Sequence, residues 1–244
     1  MRIDILTLFP RMCETVLDES IIGTARAKGL VEIYCHNIRD YTTDKHRRAD
    51  DYPYGGGQGM LLCAEPCARC FDAVAAAAGK RPYLVYMSPR GRVFDQKTAK
   101  EFSRMDNLCL LCGHYEGIDQ RFIDEYVDME LSVGDYVMTG GELAALAVAD
   151  TVSRLLPGVL AEEAAFTDES HYSGLLEYPQ YTRPAEWRGR AVPEVLLSGD
   201  PKLIGAWKRS KAIETTARFR PDMLASADLT DAERDAAKAF MDDQ

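Results

Sequence analysis

The feature that most constrains this chain is the recurrence of short apolar runs separated by helix-like stretches. Runs rich in β-branched and large apolar residues occur at Ile3–Phe9, Val31–Asn37, Tyr83–Met87, Leu108–Cys112 and Tyr126–Leu131. Between them Met12–Lys28, Pro66–Ala78, Gln96–Ser103, Ile118–Asp124 and Glu142–Leu156 read as helices. Strands that alternate with helices predict an α/β fold with a mostly parallel sheet. At 244 residues and 46% hydrophobic content, the chain can bury one main core and a small second one. The expected division is an α/β domain over 1–160, a flexible linker over 161–173 and a small, mainly helical domain over 174–244. In the last, Pro201–Thr216 has helical spacing, and a tail helix begins near Thr230 with Glu233 placed for a capping box.

Composition narrows the setting. No apolar stretch reaches the roughly 18 residues of a membrane span, and Met1–Pro10 reads as a strand rather than a leader, so a cytoplasmic protein with no membrane partner is expected. Seven cysteines are an odd number, for which reduced thiols are the default. The net charge of −10 argues against nucleic acid until its distribution is considered. Residues 113–177 hold 14 acidic and 2 basic residues, whereas 181–220 hold 9 basic and 4 acidic, and Lys45, His46, Arg47 and Arg48 form another basic knot. A polyanion responds to the local field, so this segregation permits nucleic-acid binding.

Three loops at strand ends carry the strongest chemical signal. They follow Tyr83–Met87 (Ser88-Pro-Arg-Gly91), Leu108–Cys112 (Gly113-His-Tyr-Glu-Gly-Ile-Asp119) and Tyr126–Leu131 (Ser132 to Glu142, with Gly134, Gly140 and Gly141). In open α/β sheets, ligands sit beyond the carboxyl ends of strands. Glycines there expose backbone N–H and C=O groups that can read a base edge without charge. No phosphate-binding fingerprint is present, which fits a nucleoside ligand lacking phosphates. A further glycine-dense loop, Tyr54–Gly59, follows the basic knot and reads as a structural turn or a substrate-facing loop. Cys63, Cys67 and Cys70 have the C-x3-C-x2-C spacing of an iron–sulfur signature. Pro66 places them in a helix's first turn, and Arg69 stands where that signature usually has an aromatic residue. Cys109 and Cys112 have the spacing of a metal pair, but on a strand they point to opposite faces, so no metal is expected.

The motifs together resemble bacterial tRNA (guanine-N1)-methyltransferases of the trefoil-knot (SPOUT) superfamily. The resemblance is carried by Tyr52–Met60, Ser88–Gly91, Cys112–Asp119, Val133–Leu143, Gly174–Pro184 and Val192–Gly199, in order and with short gaps, and it spans Met1 to about Leu224. It implies a deep trefoil knot at the cofactor site, a homodimer with active sites at the interface, and methyl transfer from S-adenosylmethionine to N1 of guanosine 37 in tRNA. It leaves room for Mg2+ in catalysis. The implied cofactor residues are Tyr86, Met87, Ser88, Pro89, Gly113, Tyr115, Glu116, Val133, Gly134, Tyr136, Val137, Met138, Gly140 and Gly141. The family often has proline after Gly-Gly-Glu-Leu, where this chain has Ala144, a departure that affects loop stiffness.

Guanine N1 carries a proton at neutral pH, so something must remove it, and a carboxylate within hydrogen-bond reach is the natural base. A guanidinium near O6 would then hold the developing charge. Arg154 matches the family's catalytic arginine. For the base, the family reads Asp-Ser-Phe where this chain has Asp168-Glu169-Ser170-His171; alignment on Gly174 places Glu169 there, with Asp168 as the alternative. The candidate RNA contacts are His46, Arg47, Arg183, Arg188, Lys208, Arg209 and Lys211. A radical S-adenosylmethionine enzyme using Cys63, Cys67 and Cys70 is the rival reading.

Overall fold

A computed structural model describes residues 1–160 and 169–242. The described residues fall into two compact units divided at 161–162. In the first unit the central sheet has five parallel strands in the order β2-β1-β6-β5-β7. These are β1 (Arg2–Thr7), β2 (Glu32–Asn37), β5 (Tyr83–Val93), β6 (Asn107–Cys112) and β7 (Met129–Ser132); a two-residue pair, β3 (Asp50–Asp51) and β4 (Leu61–Leu62), lies outside it. Helices α1 (Pro10–Leu17), α2 (Ser20–Ala27), α4 (Gln96–Phe102) and α6 (Glu142–Ser153) contribute to a core on one face. Helices α3 (Ala64–Ala78) and α5 (Gln120–Tyr126) contribute to a core on the other.

Burial on both faces explains why β6 is apolar from Leu108 to Cys112. Leu108, Leu110 and Cys112 enter one core and Cys109 and Leu111 the other, as expected of a parallel strand. The two cysteines thus face opposite ways. Cys67 and Cys70 lie in the second core on α3, where burial raises both thiols, that of Cys67 to about 12. They pack as small apolar groups, and among the described residues no three His, Cys, Asp or Glu side chains are grouped to hold a metal.

Several boundaries differ from the sequence expectation. Met12–Lys28 is two helices, because the chain breaks at Asp18–Glu19 and Ser20 takes a φ of 56°. A Cβ on Gly23 would lie 2.3 Å from the Asp18 carbonyl oxygen, so only glycine permits this close return. Helix α5 starts two residues late and ends at Tyr126, its first turn capped by Asp119, whose carboxylate accepts the Arg121 N–H. The last strand is therefore Met129–Ser132. Ser88–Gly91 is not a free loop: β5 continues to Val93, with Met87 and Arg92 both opposite Leu131 across a register shift.

The second unit holds a two-residue hairpin, β8 (Glu186–Trp187) and β9 (Arg190–Ala191), then helices α7 (Glu194–Leu197), α8 (Pro201–Phe219) and α9 (Asp231–Asp242). Asp200 caps α8 by accepting from the Lys202 and Leu203 N–H groups. At the start of α9 the Thr230 N–H donates to Glu233 at 2.8 Å and the Glu233 N–H donates to Thr230 Oγ1 at 3.3 Å. This is the expected capping box. Leu175, Ile213, Ala217, Leu224, Leu229 and Ala237 form the small core. The expected linker over 161–173 lies mostly outside the described residues.

Candidate active site

The carboxyl ends of three neighbouring strands, β6, β5 and β7, build one pocket. All fourteen residues expected to hold a cofactor line it: Tyr86 to Pro89 from β5, Gly113, Tyr115 and Glu116 after β6, and Val133, Gly134, Tyr136, Val137, Met138, Gly140 and Gly141 between β7 and α6. The loops are laced together. Gly141 N–H donates to Gly113 C=O at 2.8 Å, and His114 bridges Gly140. Gly134 is held by Ser132, whose Oγ donates to the Gly134 carbonyl at 2.9 Å and accepts its N–H at 3.2 Å.

Close packing dictates the glycines. A Cβ on Gly141 would stand 2.8 Å from Cys112 Cα and 2.9 Å from Gly113 N, both backbone atoms. A Cβ on Gly113 would stand 2.8 Å from the Tyr86 ring. Burial raises the Tyr86 hydroxyl, and the Glu130 charge adds to it, so the phenol stays neutral. Burial would also raise the Glu130 carboxyl, but bonds from Arg90 and Ser88 outweigh it and lower the value. The pocket thus presents backbone amides, carbonyls and aromatic rings, with Glu116 as the one carboxylate among the described lining residues.

His114, Gly117, Ser132 and Thr139 of the same loops also line the pocket, as do Leu131 and Ala144, which lie outside them. Ala144 lies inside α6 and reaches the pocket only through the helix's first turn. His114 sits between Phe9 and Tyr115, at ring distances of 5.0 and 4.9 Å. Its Nδ1 is buried with no hydrogen-bond partner among the described residues. The backbone groups exposed at the pocket's glycines, with the aromatic rings beside them, fit a nucleoside moiety.

The other candidates lie elsewhere. Arg154 caps the end of α6 in the first unit, half-buried and outside the pocket lining. Glu169 is half-buried in the second unit, and Asp168 lies outside the described residues. Arg47 pairs with Asp40, and the His46 N–H donates to Asp44. Arg209 pairs with Glu233 at 2.7 Å and Lys211 with Glu214 at 2.5 Å. Lys208 lies over the Tyr178 ring and Arg188 over Trp187. Arg183 is exposed. Near the pocket rim, a Cβ on Gly59 would strike Glu116, which places the Tyr54–Gly59 loop against the site.

Fold and pocket define a class: a parallel α/β protein with a glycine-lined pocket beyond the carboxyl ends of three adjacent strands. Residues 1–226 match the family described as tRNA (Guanine-1)-methyltransferase TrmD. The chain belongs to that family. It is 53% identical over 224 residues to a tRNA (guanine-N(1)-)-methyltransferase of Ruminiclostridium cellulolyticum, covering 92% of this chain and 96% of the relative. It is 52% identical over 237 residues to one of Geobacter sulfurreducens, covering 96% of each. A third, from Lachnospira eligens, is 51% identical over 223 residues, covering 91% of this chain and 94% of the relative. The radical enzyme reading has no support in these matches.

Proposed function

We propose that this protein transfers a methyl group to N1 of guanosine 37 in tRNA, with S-adenosylmethionine as donor. The observation that carries the reading is the glycine-lined pocket beyond three strand ends in a chain of the TrmD family. Backbone groups around Gly113, Gly134, Gly140 and Gly141 would hold the nucleoside part of the donor, which supplies an electrophilic methyl at its sulfonium. In this reading Glu169 accepts the N1 proton, with Asp168 as the alternative. The Arg154 guanidinium stabilises negative charge on O6 once that proton leaves. Arg183, Arg188, Lys208, Arg209 and Lys211 serve the phosphates, with His46 and Arg47 beside the glycine loop.

The rest of the proposal concerns assembly and setting. The active form is a homodimer with sites at its interface, the pocket loops form a trefoil knot, and the enzyme works in the cytoplasm. No described helix is long and apolar enough to cross a membrane. Mg2+ is proposed as an aid to catalysis without an assigned protein ligand; chelation by EDTA, with activity restored by Mg2+, tests that part. The donor is tested by calorimetry without tRNA. Binding is expected in the unsubstituted protein and loss of binding in Gly141→Val; unchanged affinity in that variant would mean that the pocket is not the donor site.

A further inference from the structure

The second unit carries an aromatic cluster to which the proposed reaction gives no role. Tyr178 and Tyr181 lie on the extended segment before the hairpin, and Trp207 lies on α8. The Trp207 ring is braced by both tyrosines, at centroid distances of 6.3 Å to Tyr178 and 6.4 Å to Tyr181. Lys208 Nζ stands 4.7 Å from the centre of the Tyr178 ring. Tyr181 is nevertheless 50% exposed, so one large ring is held in place while half of it faces water. The small core of this unit is built without any of these rings, and residues 181–220 carry 9 basic and 4 acidic residues around them.

Fixed rings with cations beside them suit one kind of partner. A nucleobase outside a helix has two free π-faces, and stacking it on a ring whose rotamer is already set costs little ordering entropy. Bases inside a duplex have no face to offer. We infer that Tyr181 and Trp207 form a stacking platform for an unpaired base of the RNA substrate, with Lys208 and the nearby Arg183 taking the flanking phosphates. This rests on the proposed tRNA substrate and adds what the second unit selects: an open loop rather than a paired stem.

The test uses the full-length protein. Trp187→Phe leaves Trp207 as the single tryptophan of the two in the chain. Its emission should be quenched saturably by an RNA hairpin with an unpaired loop and not by a blunt duplex of the same composition. In parallel, Tyr181→Ala should raise KM for tRNA about 5- to 150-fold, the range for losing one stacked base. The turnover at saturating tRNA and the affinity for S-adenosylmethionine should not change. Tyr181→Phe, which keeps the ring, should restore KM. Equal quenching by the duplex or an unchanged KM in Tyr181→Ala would overturn the platform. If the unsubstituted protein methylates no tRNA, the functional reading itself fails; methylation with an unaltered KM in Tyr181→Ala removes the platform alone.

Discussion

At the scale of single residues, the proposed reaction assigns roles to Glu169 and Arg154, and close packing calls for glycine at Gly141. Glu169→Gln keeps size and hydrogen bonding but removes basicity, so methyl transfer is expected to fall by roughly 10²–10⁴-fold. Arg154→Ala should fall comparably, and the double variant by less than the product of the two, since both act on one transition state. Single-turnover assays with labelled donor measure all three, and full activity in Glu169→Gln would shift the base to Asp168. Gly141→Ala is a sharper structural case, because its methyl meets the backbone of Cys112 and Gly113 rather than a movable side chain. Overpacking of this kind costs about 1–3 kcal/mol, readable in urea unfolding together with weakened donor binding. The glycine loops were legible from sequence because their residue types serve one purpose. Ala144 was not, because a residue's approach to a pocket depends on how neighbouring loops are laced, which spacing does not encode.

At the scale of elements, one buried link joins the first strand to the helix behind the pocket. The Thr7 hydroxyl donates to the Glu142 carboxylate at 2.7 Å across 135 residues, and Glu142 is only 3% exposed. Thr7→Val keeps the shape and removes the donor, so it should destabilise the protein by about 1–3 kcal/mol in urea unfolding, whereas Thr7→Ser should not. A second link is pH-dependent. The bond from Arg209, then those from Thr230, lower the Glu233 carboxyl to about 2 from an ordinary 4.5. The depressed value means that its contribution is complete above about pH 4.5, fades as the pH falls and is absent below about pH 2. Glu233→Gln should therefore flatten the acid dependence of unfolding in that window and leave neutral pH profiles parallel; an unchanged acid slope would deny the link. The central strand β6 was legible at this scale because both its faces are buried, which makes Leu108–Cys112 a continuous apolar run, whereas the edge strand β2 has exposed residues such as Glu32 and Tyr34. The slip around α5 and β7 came from the Asp119 cap and from strand pairing, where β5 shifts register past Pro89 to meet Leu131.

At the scale of the whole molecule, charge segregation and assembly carry the predictions. Arg183 and Arg188 are exposed and ion-paired with none of the described residues. Converting each to Gln should reduce the salt dependence of tRNA affinity by about one unit of slope for every phosphate that is no longer neutralised. Arg209 is a poorer probe, because its removal also frees Glu233. The proposed dimer makes a separate claim. If each site takes Arg154 from one protomer and Glu169 from the other, mixing the two inactive single variants should restore up to half the activity in every heterodimer; no rescue would place both groups in one protomer. The central claim is tested most directly by incubating the protein with methyl-labelled S-adenosylmethionine and unmodified tRNA, then digesting the RNA and identifying the labelled nucleoside. The expected product is 1-methylguanosine from position 37, with none from a tRNA that has adenosine there; label in any other nucleoside, or none at all, would contradict the proposed function.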